Sequence, residues 1–375
     1  MNKKEVLEIR KQFTPENCAI TRICGCYVDH EKEKKAELKK AFLSIPEEEA
    51  FKYFDIFRHT LSGTIGKNLL TMDFPLEQEL SGGTQEFLLK LLKSKLEDDI
   101  LIEEFYDKVI ENYNYPENYY IILIHAAYDV PGKSTDGTEM FDASDTVYEH
   151  IMCSICPVNL TKAGLTYNAE TNNIEDRIRD WFVELPVKGF LFPAFEDRAS
   201  DIHHILYYSK KPEELMPEFI SNVLGSRIPL TANDQKTTFQ SIISETLGDD
   251  CDYEVIRNIH DNLNEMLEET KESPDPLELS RPDVKHLLER SGVSQEKMEN
   301  FDEQFTENVG ERGTLLASNI ASLRTFQLET PDVVVKVNPE RSDLVETREI
   351  DGRRCLVIAI DEHLEVNGIE ITKSL

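Results

Sequence analysis

A chain of 375 residues that is 40% hydrophobic and 30% charged has the composition of a globular protein, with room for two or three domains. Its formal net charge is −31, and because the first 50 residues hold ten basic and ten acidic side chains, the whole excess lies beyond them. A field of that sign repels phosphate backbones and anionic lipid, which sets nucleic-acid and membrane-surface roles aside unless a local basic face intervenes.

The opening Met-Asn-Lys-Lys-Glu-Val leads into a charged helix pattern without the apolar stretch of a secretory leader. The longest nearly uninterrupted apolar run, Tyr119 to Tyr128, is about half of the roughly 20 residues that a membrane helix needs. Seven cysteines, an odd number scattered over a long chain, make no secreted disulfide framework. A cytoplasmic protein with reduced thiols and no membrane contact is expected.

Helices are predicted at 3–12, 31–44 and 46–60, the last opened by Pro46 and three glutamates. TQEFLLKLLKSKL then places Phe87, Leu88, Leu91 and Leu92 on one helical stripe, and 99–113 is a further helix. From Tyr119 the period becomes that of strands, at 119–128, 147–157, 188–192 and 202–208, joined by long loops. After Pro212 the pattern is helical again, with Val255, Ile256, Ile259, Leu263, Met266 and Leu267 forming the apolar stripe of a long acidic helix. TKESPDPLELSRP, 270–282, reads as a polar Pro-rich linker before a short helical pair. A β-rich tail begins near Pro331, where VETREIDGRRCLVIAI is a hairpin turning at Asp351-Gly352.

The expected fold class is therefore α+β: a mainly antiparallel sheet with flanking helices, a helical segment and a small β-rich C-terminal part. Four regions are expected: helical 1–60, an α/β core at 61–228, an acidic helical region at 229–310 and a β-rich 311–375. The stretches FTPENCAITRICGCYVDHEKEKK, YIILIHAAYDVPGKSTDG, MCSICPVNLTKAGLTYN and GFLFPAFEDRASDIHHILYYSKKPEEL carry a resemblance. In these, and over essentially its full length, the chain resembles an uncharacterised family of bacterial proteins, a domain of unknown function from anaerobic Gram-positive bacteria. The resemblance implies a bacterial cytoplasmic protein and brings no chemistry with it.

Two stretches imitate phosphate-binding loops. Pro131-Gly132-Lys133-Ser134 follows a strand, but Ala127 stands at the first glycine position of the motif. The TDGTEMFDASD that follows cannot propagate the helix whose amides hold phosphates, and Asp136, Glu139, Asp142 and Asp145 would crowd them. SGTIGKN, Ser62 to Asn68, has two residues between its glycines and Asn where Ser or Thr belongs. No nucleotide or other cofactor is expected.

FEDRASDIHH, Phe195 to His204, is the densest polar cluster. Asp197, Arg198, Asp201 and His203 are the candidate catalytic residues, because carboxylates and imidazoles share acid–base work or hold a divalent metal. In a strand over 202–208, His203 and His204 point to opposite faces while Asp201 and His203 share one. A structural Asp–His pair is the competing reading. Cys24, Cys26, Cys153 and Cys156 supply enough thiols for tetrahedral zinc. Yet Cys153 alternates with Ile151 and Ile155 as a small apolar strand residue, and Pro157 follows Cys156 where a redox motif wants a helix start. No bound metal is expected from them.

Val284 to Phe301 has the outline of a helix-turn-helix about Gly292, but the helix that would enter a groove carries Glu296, Glu299, Asp302 and Glu303 against Lys297. HEKEKKAELKK, His30 to Lys40, interleaves its lysines with glutamates and reads as a solvated helix. The leading expectation is a non-enzymatic module that binds another protein or serves as a regulatory component, with no nucleic-acid partner. A nucleoid- or nucleic-acid-associated role comes second, because the order of helical start, α/β middle, acidic helices and β-rich tail resembles that of nucleoid-associated proteins. A metal-assisted hydrolase using the cluster at 197–204 comes third.

Overall fold

A computed structural model describes residues 1–133, 139–140, 146–248, 251–311, 313–361, 363–366 and 368–371. The chain forms two compact units, Met1–Thr231 and Ala232–Leu375.

In the first unit, helix α1 (Lys3–Arg10) precedes strands β1 (Ile20–Val28) and β2 (Lys34–Ala41). Helix α2 (Glu47–Thr60), strand β3 (Leu69–Asp73) and helices α3 (Thr84–Lys93) and α4 (Asp99–Asn112) lead to the two long strands, β4 (Tyr119–Val130) and β5 (Thr146–Leu160). Strands β6 (Leu165–Asn168) and β7 (Asn173–Asp176) form a separate hairpin, and β8 (Trp181–Val183) lies against the end of β5. Then come β9 (Lys188–Phe192), a small hairpin of β10 (Ala194–Glu196) and β11 (Ala199–Asp201), and β12 (His204–Ser209). The main sheet is antiparallel throughout, in the order β2-β1-β4-β5-β9-β12-β3, with β8 added to β5. The fold is α+β.

The apolar run in β4 has no alternation because helices cover both faces of the sheet. One face carries Leu123, Cys153, Phe190 and Tyr207 under α3, α4 and the π-helical segment Phe219–Leu224. The other carries Ile122, Met152, Leu191 and Leu206 under α1 and α2. Each of these apolar side chains is buried, which stabilises the fold by about 1.5–3 kcal/mol apiece. Backbone contact is close where glycine stands: a Cβ on Gly189 of β9 would fall on the Cys153 carbonyl oxygen and 2.6 Å from Thr60 Cγ2 of α2.

The sequence reading departs from the structure in the first 73 residues. Residues 34–41 form an edge strand, not a helix, and β1 and β3 were read as no element at all. The lysines and glutamates of β2 have ample helix propensity, but β1 presents an open row of backbone groups that β2 satisfies from Arg22↔Ala41 to Val28↔Lys34. Charged side chains are also what an edge strand carries to block further pairing. Tertiary hydrogen bonding overrides local preference here.

The second unit packs α5 (Ala232–Leu247), α6 (Tyr253–Glu269), α7 (Arg281–Arg290) and α8 (Phe301–Val309) around Phe239, Ile259, Leu263, Leu287 and Phe305. Beyond them, β13 (Phe326–Glu329) pairs with β14 (Val334–Val337), and β15 (Val345–Ile350) with β16 (Arg353–Ile358). The β15–β16 turn is Asp351-Gly352, with φ of 50° and 73°, as the Asp-Gly pair requires. Among the described residues, no helix is long and apolar enough to cross a membrane.

Candidate functional site

The polar cluster is built by the β10–β11 hairpin. Its turn is Asp197-Arg198, whose φ of 49° and 60° place both residues in the left-handed region that a two-residue hairpin turn demands. Neither residue is glycine, and α1 holds the turn from one side. The Asp197 N–H donates to Glu5 Oε1 at 2.8 Å, and Arg198 donates to Glu8 Oε2 at 2.9 Å and to the Pro131 carbonyl at 2.8 Å. Glu5 also closes the capping box of α1, accepting from the Asn2 N–H at 2.7 Å. Asp197 and Arg198, two of the four candidate catalytic residues, are therefore part of a clasp between α1 and the hairpin.

Asp201 and His203 are not a pair. Strand β12 begins at His204, so Ile202 and His203 form the turn before it and the alternation expected from a strand over 202–208 does not apply. His203 swings out to Glu79, with Nδ1 2.8 Å from Oε1, and this bond raises the imidazole pKa. His204, absent from the sequence-based candidates, is the partner of Asp201: its Nδ1 lies 2.7 Å from Oδ2. Asp201 Oδ1 accepts the His203 N–H at 2.9 Å. Partial burial opposes ionisation of Asp201, but the hydrogen bonds from His204 and His203 outweigh it and hold the carboxyl below the usual range. Glu196 completes the group, with Oε2 3.8 Å from His204 Nδ1 and Oε1 2.7 Å from the Met1 ammonium, which also donates to Thr71 Oγ1 at 3.0 Å. Glu196 precedes the 197–198 turn and His204 opens β12, and the sequence marks both only as polar residues near that turn.

The four candidate thiols line the sheet rather than one point. Cys24, Cys26 and Cys153 are buried on the α3–α4 face, while Cys156 is buried on the opposite face among α2 residues. Burial pushes the Cys24 thiol up to about 11 and Cys26 up to about 12, and raises Cys153 and Cys156 as well. Two further titratable groups in the core escaped the sequence reading. His150 is fully buried and neither ring nitrogen meets a hydrogen-bond partner. Lys188, 5% exposed, donates to Ser209 Oγ at 2.7 Å and to the Glu214 carbonyl, and burial pushes it down to about 8.

Of the phosphate-loop lookalikes, Gly132–Lys133 forms a two-residue ladder with Glu139–Met140, whereas Ser134, Asp136, Asp142 and Asp145 and the side chains of Lys133 and Glu139 lie outside the described residues. In SGTIGKN, Asn68 is a structural residue: Oδ1 accepts the Thr64 N–H at 3.2 Å and Nδ2 donates to the Ser209 carbonyl at 3.0 Å. In the helix-turn-helix lookalike, α8 starts only at Phe301, and its Asp302 pairs with Lys285 of α7 at 2.9 Å.

The loop expected between β5 and β9 contains strands, and among the described residues of the first unit they carry the longest run of exposed apolar side chains. Trp181, the chain's one tryptophan, is 55% exposed, and Phe182, Val183 and Leu185 beside it are each exposed too. Strand β8 pairs with β5 in the register Trp181↔Leu160 to Val183↔Val158, and among the described residues no strand pairs with its other edge. In the adjoining hairpin, Tyr167 and Ile174 are register partners, both exposed.

Comparison with curated proteins finds no match. The model of one family matches residues 1–369, and the chain accordingly belongs to the family described as a domain of unknown function, DUF4317.

Proposed function

We propose that this protein is a non-enzymatic interaction module of the bacterial cytoplasm that takes an extended, apolar segment of a basic protein as an added strand along β8. The observation that carries the reading is the exposed edge at Trp181-Phe182-Val183. An exposed, apolar edge strand is a template for pairing: its backbone groups supply affinity and pockets for alternate side chains supply selectivity. A patch of this kind on a folded surface marks an interaction site. The charge of −31 favours a basic partner, since opposite fields steer encounter and suppress wrong partners. The bacterial and cytoplasmic part of the reading rests on the family resemblance and on the scattered, unpaired cysteines.

A photo-crosslinking residue at position 181, compared with one at Glu111 on α4, tests this in native lysate. The expected result is a basic protein captured from position 181 alone and lost with Phe182→Glu. Equal capture from both positions, or capture indifferent to Phe182→Glu, overturns the reading. A purified chain that dimerises through position 181 would replace the foreign partner with a second copy.

A further inference from the structure

Apart from that edge, three metal-ligating side chains meet at one point of the first unit. Glu196 ends β10, Asp201 ends β11 and His204 begins β12, and one ligand atom of each lies within 4.8 Å of the other two. The separations are near those of a coordination shell. Ligands held about 2.1 Å from one ion stand about 3.0 Å apart at a right angle and about 3.4 Å apart at a tetrahedral angle. The observed 2.7 Å and 3.8 Å from His204 Nδ1 to Asp201 Oδ2 and Glu196 Oε2 bracket those values. Asp73 is the register partner of His204 across the β3–β12 ladder, so a further carboxylate leaves the sheet from the same face. The three side chains are 25–36% exposed, which leaves room for water ligands.

We propose that Glu196, Asp201 and His204 bind one divalent transition metal ion of the manganese class. Carboxylates outnumber imidazole in this set, which suits manganese better than the nitrogen- and sulfur-rich sets that favour zinc. The ion replaces the Asp201–His204 hydrogen bond and shares Glu196 with the Met1 ammonium, which holds Oε1 and leaves Oε2 facing the imidazole. The other group with metal-ligand spacing, Asp29, Glu31 and Glu33, offers carboxylates alone, and Asp29 already accepts from two backbone N–H groups and pairs with Lys35. It serves as the control.

Manganese chloride titrated into the full chain and followed by electron paramagnetic resonance is expected to show about one bound ion per chain. Pulsed measurements on the wild type are expected to detect a directly coordinated imidazole nitrogen. His204→Gln and Asp201→Asn, each with unchanged circular dichroism, should weaken binding by about tenfold or more, while Asp29→Asn leaves it unaltered. Wild-type protein whose bound manganese has no nitrogen ligand overturns the proposal without reference to any variant. Binding that survives His204→Gln and disappears in Asp29→Asn overturns it as well.

Discussion

His150 illustrates how a single side chain can couple this fold to pH. It lies in β5 on the α1–α2 face, stacked on Tyr148 with ring centroids 4.6 Å apart and no hydrogen-bond partner for either nitrogen. Burial pushes its pKa down to about 3, with His125 adding to the effect. The unfolded chain binds this proton near pH 6.5 and the folded chain only near pH 3, so between those values the unfolded state holds more protons. Stability is therefore lost as pH falls through that window, by about 3 kcal/mol at pH 4.5 from this residue. His150→Leu removes the contribution. Thermal melts of the two proteins are expected to diverge on acidification from pH 7 to 4.5, the variant losing less; parallel curves would show that His150 takes up its proton alike in the folded and unfolded states. Lys188 works in the opposite range: its depressed pKa makes the folded state gain stability as pH rises from about 8 toward the usual lysine value.

Among the elements, β9 is closely held, since Gly189 lets α2 and β5 approach its backbone together. Gly189→Ala drives a methyl group into the Cys153 carbonyl, which cannot give way without shifting the central ladder, and is expected to cost about 2 kcal/mol. Gly164→Ala, at a position with open space and ordinary φ, should change stability by less than about 0.5 kcal/mol. Equal denaturation midpoints for the two variants would refute the packing argument. The elements that were legible in the sequence are those whose own pattern decides them. Helix α3 buries Leu88, Leu91 and Leu92 as its spacing implies, β4 is a single apolar run, and Asp351-Gly352 turns the tail hairpin. Strand β2 was illegible because its hydrogen-bonding partner, not its composition, makes it a strand. The cluster at 196–204 was half legible for a related reason: residue types marked the place, but the Asp197-Arg198 turn decides that Glu196, Asp201 and His204 meet while His203 goes to Glu79.

At the scale of the whole molecule, the question is whether any part of so acidic a protein can hold a polyanion. The basic stretch beside β1 is where lysines concentrate, and three of its five are already committed. Lys34 pairs with Asp107 at 2.7 Å and with Glu103, both of α4, and Lys35 pairs with Asp29 at 2.9 Å and with Glu33. Lys39 pairs with Asp99 and donates to the Glu97 carbonyl at 3.1 Å. A phosphate backbone would have to compete with these carboxylates, and each exchange trades one ion pair for another with little net gain. In the second unit, the outline of a helix-turn-helix presents Glu299, Asp302 and Glu303, with Lys285 drawn onto Asp302. Duplex DNA is therefore expected to leave no retained complex in a mobility-shift assay at physiological ionic strength. Binding that does appear at low salt should be independent of sequence and fade steeply as salt rises. Submicromolar binding at physiological ionic strength, weakened by Lys34→Glu with Lys35→Glu, would mean that these lysines exchange their carboxylate partners for phosphate and that the protein works on nucleic acid after all.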